Sequence, residues 1–178
     1  VYSRFLLENA VFLSLNDMGK ELPDYEEIPL PVQMPDQVRE RMMSQSKRFM
    51  RDCGYRGILA IEYFVRQGEI YFNEMAPRPH NSGHYTIEGA TTNQFRELVR
   101  YLVGMPLEEP RLVAPTVMKN ILGQDLEEAR KVAAEHRPGV YVHLYGKSES
   151  RPKRKMGHIT FVGMQAGEYE RDWAARFV

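Results

Sequence analysis

Apolar residues at Phe95, Leu98, Val99, Leu102 and Val103 recur at helical spacing and predict a helix over 92–103, closed by Gly104. A second helix is predicted from Val38, Met42, Phe49, Met50 and Cys53, opened by Pro35 at a first-turn position and ended by Gly54. Lys47, Arg48 and Arg51 lie near its C-terminus, where the helix dipole favours cations, and Cys53 reads as a core residue rather than a nucleophile. Elsewhere short runs rich in β-branched and aromatic residues take over. Ile58 to Arg66, Gln67-Gly68-Glu69 and Ile70 to Asn73 form a hairpin signature. Thr116 to Leu122, Gly139 to Tyr145 and Gly157 to Met164 read as further strands; in the middle one Val140, Val142 and Leu144 alternate with Tyr141, His143 and Tyr145. Asp125, with Glu128 three residues on, predicts a capped short helix with Leu126, Ala129, Val132 and Ala133 as its stripe. At the start, Val1 to Leu6 and Ala10 to Leu15 read as strands about a Glu8-Asn9 turn. Gly19 to Asp36, with four prolines, reads as a connector, and a boundary is expected at Met105 to Pro115.

The 178 residues are enough for one domain or one and a half. Lysine plus arginine equals aspartate plus glutamate at 24 each, so bulk charge calls for neither nucleic acid nor an anionic membrane. A single cysteine excludes an internal disulfide and fits a reducing, cytoplasmic setting. No run reaches membrane-spanning length, and no leader pattern is present. Dinucleotide and phosphate-loop glycine motifs are absent, as is a cysteine pair for zinc.

Chemistry is concentrated in Asn73 to Thr86, NEMAPRPHNSGHYT. Pro77 and Pro79 push Ala76 and Arg78 towards extended backbone, so Arg78 and His80 project from a stiff segment. Gly83 can take positive φ and turn backbone amides towards an anion. The hairpin raises a question of register. A two-residue turn at Gln67-Gly68 would pair Arg66 with Glu69 and send Glu62 and Glu74 to opposite faces. A three-residue turn, Gln67 to Glu69, would set the two acids directly opposite, about 5 Å apart at Cβ. Two such carboxylates repel unless protonated or bridged by a cation, and oxygen ligands of this kind suit magnesium; the bland alternative is a solvated face. Arg78 offers a planar fork for a carboxylate-like anion, and His80 a hydrogen bond or proton relay. Lys147, Arg151, Lys153, Arg154 and Lys155 form a basic loop, readable as a solvated tip or as a clamp for one phosphate.

The run NEMAPRPHNSGHYT, preceded by GILAIEYFV (Gly57 to Val65) and followed by IEGATTNQF (Ile87 to Phe95), resembles the C-terminal half of ATP-grasp ligases. Among these it most resembles the N5-carboxyaminoimidazole ribonucleotide synthase family; the likeness returns at Val140 to His158. The resemblance implies an α+β fold, with the C-terminal half of an ATP-grasp domain (an antiparallel sheet with packed helices) followed by a small β-rich C-terminal domain. The divisions would be a lead-in at 1–36, the grasp half at 37–106 and the small domain at 107–178. It implies ATP- and bicarbonate-dependent carboxylation of 5-aminoimidazole ribonucleotide in purine biosynthesis, in a cytoplasmic homodimer that binds neither nucleic acid nor membrane. By the same resemblance, Glu62 and Glu74 hold magnesium on ATP, with Asn73 beside them. Arg78, His80, Asn81 and Ser82 bind bicarbonate and its phosphorylated form. Lys147 and Arg154 reach the ribonucleotide phosphate, with Arg151 as the alternative to Arg154 because the loop is slightly longer than the family pattern. The first half of the grasp lies outside these residues and the chain begins at Val1, so a fragment is expected. The competing readings are a formate-dependent glycinamide ribonucleotide transformylase, which has Asp-Thr-Gly-Met where Asn81 to His84 stand here, a non-catalytic fragment, and an RNA-binding module on the basic loop.

Overall fold

The computed structural model describes residues 4–6, 13–17, 27–30, 35–164 and 166–177. In chain order it has β1 (Arg4–Leu6), β2 (Leu13–Asp17), β3 (Glu27–Leu30), α1 (Asp36–Asp52), β4 (Leu59–Arg66), β5 (Glu69–Ala76), α2 (Thr86–Gly89) and α3 (Gln94–Leu102). Then follow β6 (Thr116–Leu122), α4 (Leu126–Ala134), β7 (Val140–Leu144), β8 (Lys155–Val162) and α5 (Ala166–Asp172). Single 3-10 turns lie at Asn81–Gly83, Gly123–Asp125 and Ala174–Phe177. These elements form two compact units. The parts of the expected strands before Arg4 and at residues 10–12, and the Glu8-Asn9 turn, lie outside the described residues.

In the first unit β4 is central. β5 runs antiparallel along one edge from Arg66 to Ala60; the other edge is shared by β1, antiparallel at Leu59–Ile61, and β2, parallel at Ile61–Val65. The side chains of Leu59, Ile61 and Tyr63 bury against Val38, Met42 and Met50 of α1, which leaves Glu62 for the opposite face. Within this core the hydroxyls of Ser46 and Tyr63 satisfy each other at 2.7 Å. Pro35 is the N-cap of α1 (ψ 134°) rather than its first helical residue, and Gly54 (φ 61°) ends the helix as expected. Cys53 is exposed, so its reading as a core residue is wrong: the helix stops at Asp52 and Cys53 lies past the buried stripe.

Helix α3 forms where its periodicity predicts, capped by Asn93 Oδ1 on the amides of Phe95 and Arg96. Its apolar stripe is not a core face, however. Phe95, Val99, Leu102 and Val103 are exposed, and the buried residues are the polar Gln94 and Glu97. Glu97 accepts from Thr92 Oγ1 and from the Glu108 amide, and Gln94 reaches the loop after β5. The polar face points inward because it carries hydrogen bonds that the neighbouring irregular backbone needs.

In the second unit the order is β3-β6-β8-β7, all neighbours antiparallel. β3 was not expected within the proline-rich connector; it is an edge strand, where the missing N–H of Pro29 can be tolerated. β6 is buried along its whole length. On one face Val117, Ile121, Ile159 and Phe161 pack with Ala129 and Val132 of α4 and with Tyr169, Trp173 and Phe177, spaced four residues apart along the C-terminal segment. Asp125 does not cap α4: its carboxylate accepts from the Leu122 amide at 3.0 Å, and Glu128 pairs with Arg176 instead.

The other face carries His158 opposite His143, their rings stacked with centroids 4.5 Å apart, and His143 Nε2 meets Glu88 Oε1 at 2.7 Å. The hydrogen bond to Glu88, with its charge, raises the His143 pKa above the ordinary imidazole value against the opposing effect of burial. A raised folded-state pKa means that the fold binds this proton more tightly than the unfolded chain does. The stabilisation is fully present below the unfolded value of about 6.5 and is lost as pH rises through the higher folded value. The melting temperature should therefore fall across that window, and Glu88→Gln should flatten the slope. Identical slopes in calorimetric scans of both proteins would remove the dyad from the account.

Candidate active site

β4 and β5 are joined by the two-residue turn Gln67-Gly68, both at positive φ (50° and 81°), and Arg66 pairs with Glu69. The three-residue turn is thus incorrect. Yet Glu62 does stand opposite Glu74, because the register shifts between Tyr63↔Phe72 and Glu62↔Glu74. Asn73 is the extra residue of this β-bulge, and its Nδ2 donates to Glu62 Oε2 at 3.4 Å. The bulge restores the facing that a plain two-residue hairpin would have lost.

Beyond β5 the chain bends at Pro77-Arg78, where the Arg78 amide donates to the Ala76 carbonyl at 2.9 Å, so Arg78 does not lie on the extended backbone expected of it; His80 is extended, with φ −125° and ψ 151°. The path brings the His80 imidazole back to the acids, and ligand atoms of Glu62, Glu74 and His80 all lie within 4.8 Å of one another. His80 Nδ1 is 4.0 Å from Glu62 Oε1 and 2.7 Å from Ser82 Oγ. Glu62 and His80 are mostly buried, at 15% and 17% side-chain exposure, whereas Glu74 and Arg78 are open to solvent. Two carboxylates and an imidazole at this spacing can take one divalent cation, and the pair of acids fits magnesium with water and phosphate oxygens completing its shell. The Arg78 guanidinium donates to the Pro79 carbonyl at 3.0 Å and is otherwise turned outward. Asn81 to Gly83 form a 3-10 turn with Ser82 and Gly83 buried; Gly83 is not among the residues at positive φ, so the expected left-handed amide nest is absent.

The second candidate element, in the other unit, is the basic loop. It is fastened to the Gly123–Asp125 turn: Ser150 Oγ donates to the Gly123 carbonyl at 3.1 Å and the Lys153 amide to Gln124 Oε1 at 3.0 Å. A Cβ on Gly123 would sit 2.0 Å from the Arg151 carbonyl oxygen, so this close approach requires glycine. Lys147 donates to the Lys155 carbonyl and lies over the Tyr145 ring, 5.6 Å from its centroid. Arg151 pairs with the Glu149 carboxylate at 2.6 Å, while Arg154 donates to the Glu149 carbonyl at 2.9 Å.

The ATP-grasp domain family matches residues 8–95, and the phosphoribosylaminoimidazole carboxylase C-terminal domain family matches residues 116–172. A protein of Staphylococcus saprophyticus named N5-carboxyaminoimidazole ribonucleotide synthase is 35% identical over 150 residues, covering 83% of this chain and 40% of its own length. The chain belongs to the N5-carboxyaminoimidazole ribonucleotide synthase family of ATP-grasp proteins. It spans less than half the length of that relative. The synthetase of Staphylococcus aureus complexed with ADP superposes with a TM-score of 0.79 at 30% identity, covering 99% of this chain and 49% of that one. The Aspergillus clavatus synthase in complex with ADP and 5-aminoimidazole ribonucleotide gives 0.74 at 25% identity, covering 98% and 49%.

Within this ATP-grasp family member, Glu62, Asn73, Glu74 and His80 come together at the bulge, with Arg78, Asn81 and Ser82 on the same loop, while Lys147 and Arg154 belong to the basic loop. Gln94 escaped the sequence reading. It is 1% exposed and bonded at His80 and His84, and the signal that could have marked it is an amide in the first turn of α3, bordering the apolar stripe one turn before Leu98.

Proposed function

We propose that the protein carrying this chain is an N5-carboxyaminoimidazole ribonucleotide synthase of de novo purine biosynthesis: it uses ATP and bicarbonate to carboxylate 5-aminoimidazole ribonucleotide. The observation that carries the proposal is the convergence of Glu62, Glu74 and His80 beneath the Arg78 loop in a chain of this family. Glu62 and Glu74 would hold magnesium, with Asn73 supporting Glu62; when bound, the ion would offset charge on the transferring phosphoryl group. Bicarbonate oxygen attacks the γ-phosphorus and ADP leaves; the exocyclic amine nitrogen then bonds to the carbon of the carboxyphosphate, the bond between that carbon and the phosphate oxygen breaks, inorganic phosphate leaves and the amine gives up a proton. Arg78 provides a two-pronged donor for that anion, and His80, steadied by Ser82, provides an imidazole beside it. Asn81 and Ser82 complete the loop around it. The cytoplasmic homodimer belongs to the same proposal, and the exposed apolar stripe of α3 favours assembly with another surface. Among the described residues no helix is long and apolar enough to cross a membrane.

Lys147 and Arg154 would clamp the ribonucleotide phosphate. Arg154 is favoured over Arg151 because the Arg151 charge is already paired with Glu149. The test is phosphate release from ATP that depends on both bicarbonate and 5-aminoimidazole ribonucleotide, measured on the full-length protein. Lys147→Ala or Arg154→Ala should raise the ribonucleotide KM roughly ten- to hundredfold and leave ATP binding near normal, since a charge-assisted contact is worth about 1.5 to 3 kcal/mol. Lys153→Ala, the control, should change little. Equal small effects at all three would return the loop to solvent, and a loss at Arg151 alone would reassign the clamp.

A further inference from the structure

Gln94, the first helical residue of α3, takes hold of one residue of the loop at two points. The His80 N–H donates to Gln94 Oε1 at 2.8 Å, and Gln94 Nε2 donates to the His80 carbonyl at 2.9 Å. His80 is extended, and in extended backbone the N–H and C=O of one residue point to the same side. A primary amide offers an acceptor and a donor next to each other, so it meets both groups as the opposing residue of an antiparallel ladder would. The side chain of Gln94 thus stands in for a neighbouring strand one residue wide. Because a backbone N–H can only donate and a carbonyl can only accept, the amide cannot be turned over without breaking both bonds. Its second Nε2 proton goes to His84 Nδ1 at 2.7 Å, and the His80 carbonyl accepts also from the Gly83 amide at 3.0 Å.

The clasp is fixed from its own side. Asn93 caps α3, the Gln94 amide lies 3.4 Å from Thr86 Oγ1, and that hydroxyl donates to the Gly83 carbonyl at 2.6 Å. Gln94 is buried, so water does not compete for its amide. With the N–H and carbonyl of His80 both pinned, the direction of its Cα–Cβ bond is set, since a side chain in extended backbone stands roughly perpendicular to the plane of those groups. Only the side-chain torsions are left, and Ser82 Oγ restrains them from 2.7 Å at Nδ1. The imidazole held in this way is the one whose ligand atom lies within 4.8 Å of those of Glu62 and Glu74.

We propose that Gln94 is a positioning residue: by clasping the His80 backbone it sets where the imidazole stands against Glu62 and Glu74, and through that placement it governs turnover with bicarbonate. The second half rests on the bicarbonate-binding reading of the Arg78 loop. Gln94 acts on the site through His80 and not by touching a reactant. Without the clasp the peptide groups on either side of His80 can turn, and a misplacement of about 1 Å is enough to cost about 100-fold where a group must be held for reaction.

Two measurements on the full-length protein read the clasp and its consequence separately. Hydrogen exchange reads the clasp without turnover: the His80 amide should be protected in the unaltered protein and should exchange at least about tenfold faster in Gln94→Met, with the amides of β4 unchanged as the sign of an intact fold. An unprotected His80 amide in the unaltered protein, or equal protection in the variant, would overturn the clasp. Turnover reads the consequence. In Gln94→Met, and in the shorter Gln94→Asn, kcat/KM for bicarbonate should fall roughly ten- to hundredfold while the KM for ATP stays within about twofold of normal. Added to His80→Asn, Gln94→Met should cost little more, because both changes act on one group. A full, independent loss in that background would show that Gln94 acts elsewhere, and normal bicarbonate kinetics in the single Gln94 variants would show that it does not serve the reaction; either result overturns the proposal. Normal bicarbonate kinetics in His80→Asn would instead strike the anion reading of the loop, and the second half with it, while hydrogen exchange still decides the clasp.

Discussion

Glu62→Gln is expected to lower magnesium-dependent ATP turnover at least about a hundredfold, since loss of even an outer-shell partner of a metal ligand costs about 10- to 100-fold. Glu74→Gln should behave alike, and the double variant should lose far less than the product of the two, because both acids would act on one ion. The effect on stability should have the opposite sign. Glu62 and Glu74 are directly opposed across the hairpin, and like charges in that position destabilise a sheet by up to about 1 kcal/mol. In the presence of a chelator either glutamine should therefore leave the protein as stable or slightly more stable. Glu69→Gln, on the same hairpin but exposed and paired with Arg41 at 2.7 Å, should do little to either quantity. Turnover within twofold of normal for Glu62→Gln, measured across a magnesium titration, would exclude the acids from the chemistry.

The largest structural effect should come from Gly157→Ala. A Cβ at this position would stand 2.2 Å from the His143 carbonyl oxygen and 3.0 Å from Ile121 Cδ1. The first contact is backbone, so no rotamer change relieves it. β7 would have to move away from β8, and with it the segment that leads to Tyr145 and Lys147. Overpacking of this kind costs about 3 kcal/mol or more, equivalent to a fall of roughly 6 to 12 °C in Tm for a chain of this size. Gly163→Ala is the informative contrast. Its φ of 84° strains an alanine by about 1 kcal/mol, but the added methyl meets nothing within 4 Å. Calorimetry that found the two variants equal would mean that the β7–β8 contact yields more easily than its geometry suggests.

The elements of this fold legible in the residue pattern were those with a regular spacing of apolar residues or a clear turn signal, whether or not that spacing marks burial. β7 came from alternation and α3 from helical spacing, β6 from a short run bounded by turn residues, and the hairpin from its Gly68 turn flanked by apolar runs. The acids, Arg78 and His80 stood out because so many polar groups crowd one short stretch with two prolines. What escaped has physical reasons. A bulge leaves no residue signature of its own: asparagine is disfavoured in strands, so Asn73 hints at an irregularity without fixing the register there. β3 was hidden because prolines mark turns unless the strand is known to be an edge. The outward face of α3 defeated a rule that equates an apolar stripe with a core, and Asp125 went to a nearby amide rather than to the helix it precedes.

Glu62 and Glu74 are separated by an even number of positions, 74 − 62, whereas a two-residue turn without irregularity brings opposite one another only residues an odd number apart. Asn73 supplies the missing unit, so the facing of the two acids is a matter of parity. Any single insertion or deletion between them reverses the parity and, with the rest of the ladder unchanged, throws one carboxylate to the far side of the sheet. Two such changes cancel. Turn and bulge therefore form a coupled pair of counters. The tip at Gln67-Gly68 can grow by one residue without harm to the candidate cation site provided the ladder gives up its bulge, and a change at the tip some distance from the acids can disable them without touching either one.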